Sequence, residues 1–358
     1  MRGRGATVGT SQIIDAHARA AGLVPVSEQR DLDRDVPLSV SLEDAQTLMA
    51  PMAGVSDAAY RLMARAGGAR LAYTEMVSVA GLHYSSDKTW ELVLPDAAEK
   101  SIAVQLFGSK PDQFAEAAHA VTERVGERLA LIDINMACPV PKVVRKGEGS
   151  ALLDDPELAA KIVDACVRNT NAPVTVKIRA GRVPERICAP EFASRMVAAG
   201  ARAVAVHGRT ASALYRGSAN WDWIADVVRA VDVPVIASGD IHNAAAVVDV
   251  LSTTGAACAF VARGSYGNPW VFDDARTVAE GGEPPTHDVR ERIAAFSLHV
   301  RLLEATGAHM ARARSLAGWY LKGLPHASAW RNDAMSCVTA DDFLRLADAA
   351  CARLDSHE

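Results

Sequence analysis

From Thr47 to Ala262 the chain repeats one pattern: a short apolar run, a polar turn, then a longer stretch whose apolar residues fall three or four apart. The short runs are Thr47–Ala50, Leu71–Tyr73, Ile102–Leu106, Leu131 up to the Cys138-Pro139 pair, Val174–Ile178, Ala203–His207, Val235–Ser238 and Ala257–Ala262. Continuous apolar runs bounded by turn residues read as strands buried on both faces, as in a parallel sheet. The longer stretches predict helices near residues 57–66 (with Ser56 as N-cap), 111–125, 156–169, 191–199, 221–231 and 244–252. Alternation of this kind means an α/β fold with a parallel sheet. Eight units over some 230 residues match a closed (β/α)8 TIM barrel. An open doubly wound sheet would want a G-x-G-x-x-G turn after its first strand, and Ala50-Pro51-Met52-Ala53-Gly54 is not one.

The pattern fails at both ends. Residues 1–45 carry scattered Gly, Ser and charge and read as a loose, poorly ordered leader with a short helix between Ile13 and Leu23. Gly281-Gly282-Glu283-Pro284-Pro285 reads as a linker that closes a barrel over residues 46–280. Beyond it, residues 285–358 show helical periodicity only, over Val289–Thr306, Met310–Leu321 and Ala340–Leu354. A small helical domain follows.

Polar residues recur where the apolar strands stop: Gln105, Asn135, Cys138, Lys177, Arg179, His207, Arg209, Ser238, Asp240 and Arg263. In a barrel these share one rim, the C-terminal face where chemistry sits. Lys177, after four apolar residues, reads as a site cation. Gln105 offers both a donor and an acceptor. Ser238-Gly239-Asp240 and Ala262-Arg263-Gly264-Ser265 follow the seventh and eighth strands, the usual phosphate position of a barrel. His207 is read as touching a cofactor or its phosphate. Cys138 leaves its strand in a polar loop, before the basic Lys142, Arg145 and Lys146 and the flexible Gly147-Glu148-Gly149-Ser150. An ordinary thiol is mostly protonated at neutral pH and can act as an acid. The other five cysteines lie in helical, apolar or terminal settings and read as structural.

Composition narrows the classes. With 49% hydrophobic residues in 358, a large core is available. A net charge of −5 gives no general affinity for nucleic acid, so any RNA contact rests on a local patch. Six scattered cysteines without a CxxC pair point to a reducing, cytoplasmic setting. No His or carboxylate partner stands at metal-ligand spacing to His207, so no metal is expected. No apolar run is long enough to span a membrane. The chain is expected to work as a monomer.

The ordered set Ala50-Pro51-Met52-Ala53-Gly54-Val55-Ser56-Asp57, Asp133-Ile134-Asn135-Met136-Ala137-Cys138-Pro139, Arg145 to Leu153, Val176-Lys177-Ile178-Arg179, Val206-His207-Gly208-Arg209-Thr210, Ser238-Gly239-Asp240-Ile241 and Gly267-Asn268-Pro269-Trp270 resembles the tRNA-dihydrouridine synthase family, in its bacterial B-type branch. The likeness continues faintly through Trp319-Tyr320-Leu321-Lys322-Gly323. It implies a barrel bearing FMN, reduced by NADPH, and a helical tRNA-binding tail. The reduced flavin would pass hydride to C6 of a uracil, and Cys138 would protonate C5. By the same likeness Pro51, Met52, Ala53, Gln105, Lys177, Ser238, Gly239, Asp240, Ala262 and Arg263 hold FMN. Asn135 and Arg179 meet the uracil, and Arg209 is placed on that substrate side. The target base must leave its stack to reach such a site. The chain departs from the family at Ala137, Ser238 and Ala262, and at Ser315 and Leu316, where basic residues are usual. Arg312, Lys322 and Arg331 are the candidates to replace the lost phosphate contacts. Two other readings stay open: a small-molecule FMN oxidoreductase of dihydroorotate dehydrogenase type, and a flavin- or RNA-binding protein without catalysis.

Overall fold

The computed structural model describes residues 8–84 and 86–355. Its strands are β1 (Thr47–Met49), β2 (Val77–Ser78), β3 (Ile102–Phe107), β4 (Leu129–Met136), β5 (Val174–Arg179), β6 (Gly181–Val183), β7 (Arg186–Ile187), β8 (Val204–His207), β9 (Val235–Ser238) and β10 (Cys258–Val261). One parallel sheet runs β1-β10-β9-β8-β5-β4-β3-β2. Residues 71–73 join its edges: Met49 N–H donates to the Leu71 carbonyl at 3.0 Å, and Ala103 N–H to the Ala72 carbonyl at 3.1 Å. The ring therefore closes as a (β/α)8 barrel, with helices in the connections. β6 and β7 form a separate antiparallel hairpin that the apolar pattern did not announce. Helix Ala58–Ala66 is capped by Asp57, whose carboxylate accepts from Tyr60 N–H, one residue later than expected. Ser56 instead ties its own turn, bonding to Met52 through N–H and carbonyl.

The leader reading needs correction. Its first seven residues lie outside the described residues, but much of the rest is folded. Helix Thr10–His17 and the turn after it bury Ile14, Ala18, Ala21 and Leu23 in one core with Phe296, Leu298, Tyr320 and Phe343 of the tail. Trp270 Nε1 donates to the Ala21 carbonyl at 2.8 Å, pinning the same segment to the barrel. Further on, Leu32, Leu42 and Ala45 pack against Leu48, Leu71, Tyr73, Leu131, Ile236 and Phe260 and close the lower end of the barrel interior. The pattern of these residues does not reveal their partners, which come from strands distant in sequence.

The tail holds helices Val289–Ala305, Arg312–Tyr320, Ala327–Ser336 and Ala340–Asp355; the third was not expected. Arg312 Nη1 donates to Asp57 Oδ2 at 2.6 Å and Nη2 to Glu75 Oε1 at 3.2 Å. Glu75 Oε2 in turn accepts from Gly54 N–H at 2.6 Å. Trp319 stacks on Tyr266 with centroids 4.1 Å apart, and at Gly267 a Cβ would lie 2.6 Å from the Trp319 backbone. The tail therefore docks tightly beside the barrel rim. No described helix is long and apolar enough to cross a membrane.

Candidate active site

At the C-terminal ends of the strands lies a cavity of about 480 Å³. Its wall includes Pro51, Met52 and Ala53 after β1, Gln105 of β3, Asn135, Ala137 and Cys138 at the end of β4, and Lys177 and Arg179 of β5. His207 of β8, Ser238, Gly239 and Asp240 at the end of β9, and Ala262 and Arg263 after β10 complete it. Every residue assigned from sequence to the flavin, the uracil or proton donation lines this cavity except Arg209.

Below Cys138 runs a chain of hydrogen bonds. Thr175 Oγ1 donates to Asp133 Oδ1 at 2.7 Å, and Gln105 Nε2 donates to Asp133 Oδ2 at 2.7 Å. Asn135 Nδ2 donates to Gln105 Oε1 at 2.9 Å. Asn135 Oδ1 accepts from the backbone N–H of Cys138 at 2.9 Å and of Ala137 at 3.2 Å. Gln105 thus spends one donor and one acceptor within the protein and keeps only the remainder for a ligand.

The run expected to be flexible is instead packed on the cysteine. Ser150 N–H donates to the Cys138 carbonyl at 3.0 Å, and a Cβ on Gly149 would lie 2.8 Å from that oxygen. Gly149 has φ +61°, a conformation open to glycine at no steric cost. Lys142, Arg145, Lys146 and Gly147 face solvent, as do Val140 and Pro141 before them. Cys166 and Cys258 are fully buried and desolvation drives their thiols up, which keeps them inert, whereas Cys138 is half-buried on the cavity wall.

The charges around the cavity are tuned by burial. Desolvation, then the neighbouring Arg179, lowers the Lys177 ammonium to about 8, against the pull of Asp133 and Cys138. Desolvation raises the Asp133 carboxyl to about 6 despite its bonds to Gln105 and Thr175. Burial and then the surrounding cations Lys177, Arg179, Arg209 and Arg263 push His207 well below its ordinary value, so the imidazole is neutral. Arg209 Nη1 lies 3.4 Å from His207 Nε2. A guanidinium can only donate, so Nε2 accepts and the ring proton sits on Nδ1.

Two arginines differ from expectation. Arg209 is a buried strut: Nη2 donates to Asp240 Oδ2 at 2.6 Å and to the Gly217 carbonyl at 2.5 Å, and Nε to the Arg216 carbonyl at 3.2 Å. It shapes the wall from behind and does not reach the cavity. Arg179 lines the cavity but clamps backbone as well. Its Nε donates to the Ala137 carbonyl at 3.0 Å, and Nη1 to those of Thr210 and Leu214 at 2.9 and 2.8 Å, leaving Nη2 for a ligand. Asp240 is likewise occupied, accepting from Arg209 and from Ala219 N–H at 2.7 Å.

Sequence reasoning missed Tyr215, 61% exposed at the cavity mouth. The guanidinium carbons of Arg263 and Arg179 stand 5.1 and 5.7 Å from its ring centroid. It also missed Tyr266, which carries the tail's Trp319 to the cavity edge. Neither sits at a strand end, where the polar-rim argument looks. Among the tail cations offered for phosphate, Arg312 is committed to Asp57 and Glu75, while Lys322 and Arg331 are on the surface.

A family model described as dihydrouridine synthase (Dus) matches residues 48–355. A probable tRNA-dihydrouridine synthase 1 of Synechocystis sp. is 37% identical over 313 residues, covering 86% of this chain and 86% of that protein. A probable tRNA-dihydrouridine synthase of Rickettsia prowazekii is 36% identical over 294 residues, covering 80% and 88%. The tRNA-dihydrouridine synthase B of Pseudomonas aeruginosa is 37% identical over 292 residues, covering 79% and 86%.

Proposed function

The chain belongs to the dihydrouridine synthase family, and on that premise we propose that it reduces the C5=C6 bond of a uridine in tRNA, with FMN as cofactor, NADPH as reductant and Cys138 as proton donor. The observation that carries the reading is the meeting of a half-buried thiol, a desolvated ammonium and two oriented amides on one cavity wall.

The donor set fits a flavin mononucleotide. Lys177 makes no hydrogen bond among the described residues, so its cation is available to an electron-rich heterocycle edge. Arg263 and the Gly239 and Gly264 turns offer donors to a phosphate. A bound flavin would supply the hydride for C6. Cys138 would deliver its thiol proton to C5 from the wall, with its backbone N–H held by Asn135. Arg179 Nη2 and Asn135 orient the base, and neutral His207 adds no competing charge. Tyr215 presents an aromatic face at the mouth, where a base extruded from its stack would enter. Solvated Lys142, Arg145 and Lys146 form the local patch for the RNA backbone, which the net charge of −5 demands. The helical tail, fixed at the rim by Arg312 and Trp319, is the further tRNA-binding surface. An enzyme acting on tRNA belongs in the cytoplasm.

The test is Cys138→Ala, assayed by mass spectrometry of tRNA transcripts. The variant should keep its flavin spectrum and lose dihydrouridine formation by about 10²-fold or more. Full turnover by the variant would remove Cys138 from the reaction.

A further inference from the structure

Asp133 is 1% exposed and sits inside the barrel, in register with Gln105 on β3 and Thr175 on β5. Burying a carboxylate among apolar strands is costly, and an apolar residue of similar volume is commonly the more stable choice. The position of its partners gives the acid a use. An ionised carboxylate only accepts hydrogen bonds. The amide end of Gln105 that meets Asp133 must therefore be Nε2, which turns Oε1 toward Asn135. Asn135 must then answer with Nδ2, which turns its Oδ1 toward the N–H groups of Ala137 and Cys138. Reversing either amide would set oxygen against oxygen or N–H against N–H. The chemistry of the carboxylate decides the orientation of both amides.

We propose that Asp133 is a positioning residue that locks the Gln105 and Asn135 amides in one orientation, so setting the donor and acceptor pattern of the cavity floor and the seat of the Cys138 loop. This rests on the reading of Cys138 and the cavity given above. Lys177 and Tyr73 are the titratable groups facing the carboxylate. Thr175 holds its other oxygen and leaves the amide chain untouched.

The variants Asp133→Asn and Asp133→Leu separate orientation from charge and packing. In Asp133→Asn the new carbonyl can accept from Gln105 Nε2 while the new amide donates to the Thr175 hydroxyl, which can accept. The pattern survives without the charge. In Asp133→Leu no acceptor remains and the Gln105 amide is free to turn. Three readouts are compared on the full chain: kcat and KM for tRNA, the Kd of FMN for apoprotein by flavin fluorescence quenching, and Tm. For Asp133→Leu, kcat should fall about tenfold or more and FMN binding weaken several-fold, with KM for tRNA within about twofold and Tm held or raised. For Asp133→Asn, kcat and Kd should stay within about threefold of wild type. If Asp133→Leu does not fold, Asp133→Ala carries the same expectation without added bulk. Wild-type kcat and Kd in the Leu or Ala variant would overturn the proposal, as would equal losses in Asn and Leu that track Tm. A wild-type protein that binds no FMN and forms no dihydrouridine would instead sink the proposed reaction.

Discussion

The two ends of the barrel interior are built from the same strands and share almost no chemistry. Inward-facing residues on a strand recur every second position, each pair spaced by about 6–7 Å. Along β4 they run Leu131, Asp133, Asn135; along β8 and the residue before it, Ala203, Ala205, His207; along β9, Ile236, Ser238. The lower members sit in a sealed apolar cluster where Tyr73 meets Phe260 edge-on at 4.8 Å and Leu42 plugs the end. The upper members carry amides, an imidazole and a desolvated ammonium around an open cavity. A step of two residues thus separates positions that hold the protein together from positions that tolerate electrostatic cost. Stability and chemistry should therefore respond to different substitutions in this one tube.

Three experiments test that division, beginning with the floor. Leu42→Ala should destabilise the protein by about 2–5 kcal/mol in a urea melt, by lost burial and the cavity left behind. Its kcat below the unfolding midpoint should stay that of wild type; a large fall in kcat would mean the ends are coupled. At the rim, Lys177→Met should lower turnover about 10²-fold, on the order of 3 kcal/mol, while Tm stays or rises because a desolvated charge is gone. The same residue sets a pH dependence. Its ammonium is charged below about 8, so wild-type turnover should fall as pH rises through that value. Stability moves the other way. The folded chain releases this proton more readily than the unfolded one, so Lys177's contribution to stability rises with pH from about 8 toward the ordinary lysine value. An unchanged profile in Lys177→Met would remove the assignment. The smallest effect is expected where the tail meets the rim, in Arg312→Ala. Losing the cation leaves two mostly buried carboxylates, Asp57 and Glu75, without it, and should cost about 1–2 kcal/mol by thermal melt. A modest rise in KM for tRNA, with kcat near wild type, would mark Arg312 as a tail anchor rather than a rim group.

The same two-residue step explains what the sequence made legible. Gln105, Asn135, Lys177 and His207 stand out because each breaks an apolar run at its last inward-facing position. The strand at residues 71–73 was visible as a short apolar run, although only single bridges hold it on each side. Arg209 occupies an equally conspicuous place in the pattern yet points behind the wall, since position along a strand does not reveal which polar partners wait on the other side. Tyr215 lies in a connection, where periodicity carries no signal. Asp133 looked like part of an apolar strand, and its role appears only when Gln105 and Thr175 are seen beside it. Arg312 was read as a free cation because Asp57 and Glu75 are more than 230 residues away in the chain. In the leader the short helix was legible but its burial was not: Ile14, Ala18 and Ala21 find their core beside Phe296 and Phe343, far away in the chain.

That shared core has a consequence for biogenesis. The Thr10–His17 helix is synthesised long before the Val289–Ala305 helix it packs against. At ribosomal speeds of about 5–20 residues per second, the delay is on the order of tens of seconds. Throughout that interval the segment has only the barrel side of its core, Ala59, Leu62, Met63 and Ala66, to pack against, and the last helices to emerge complete the first.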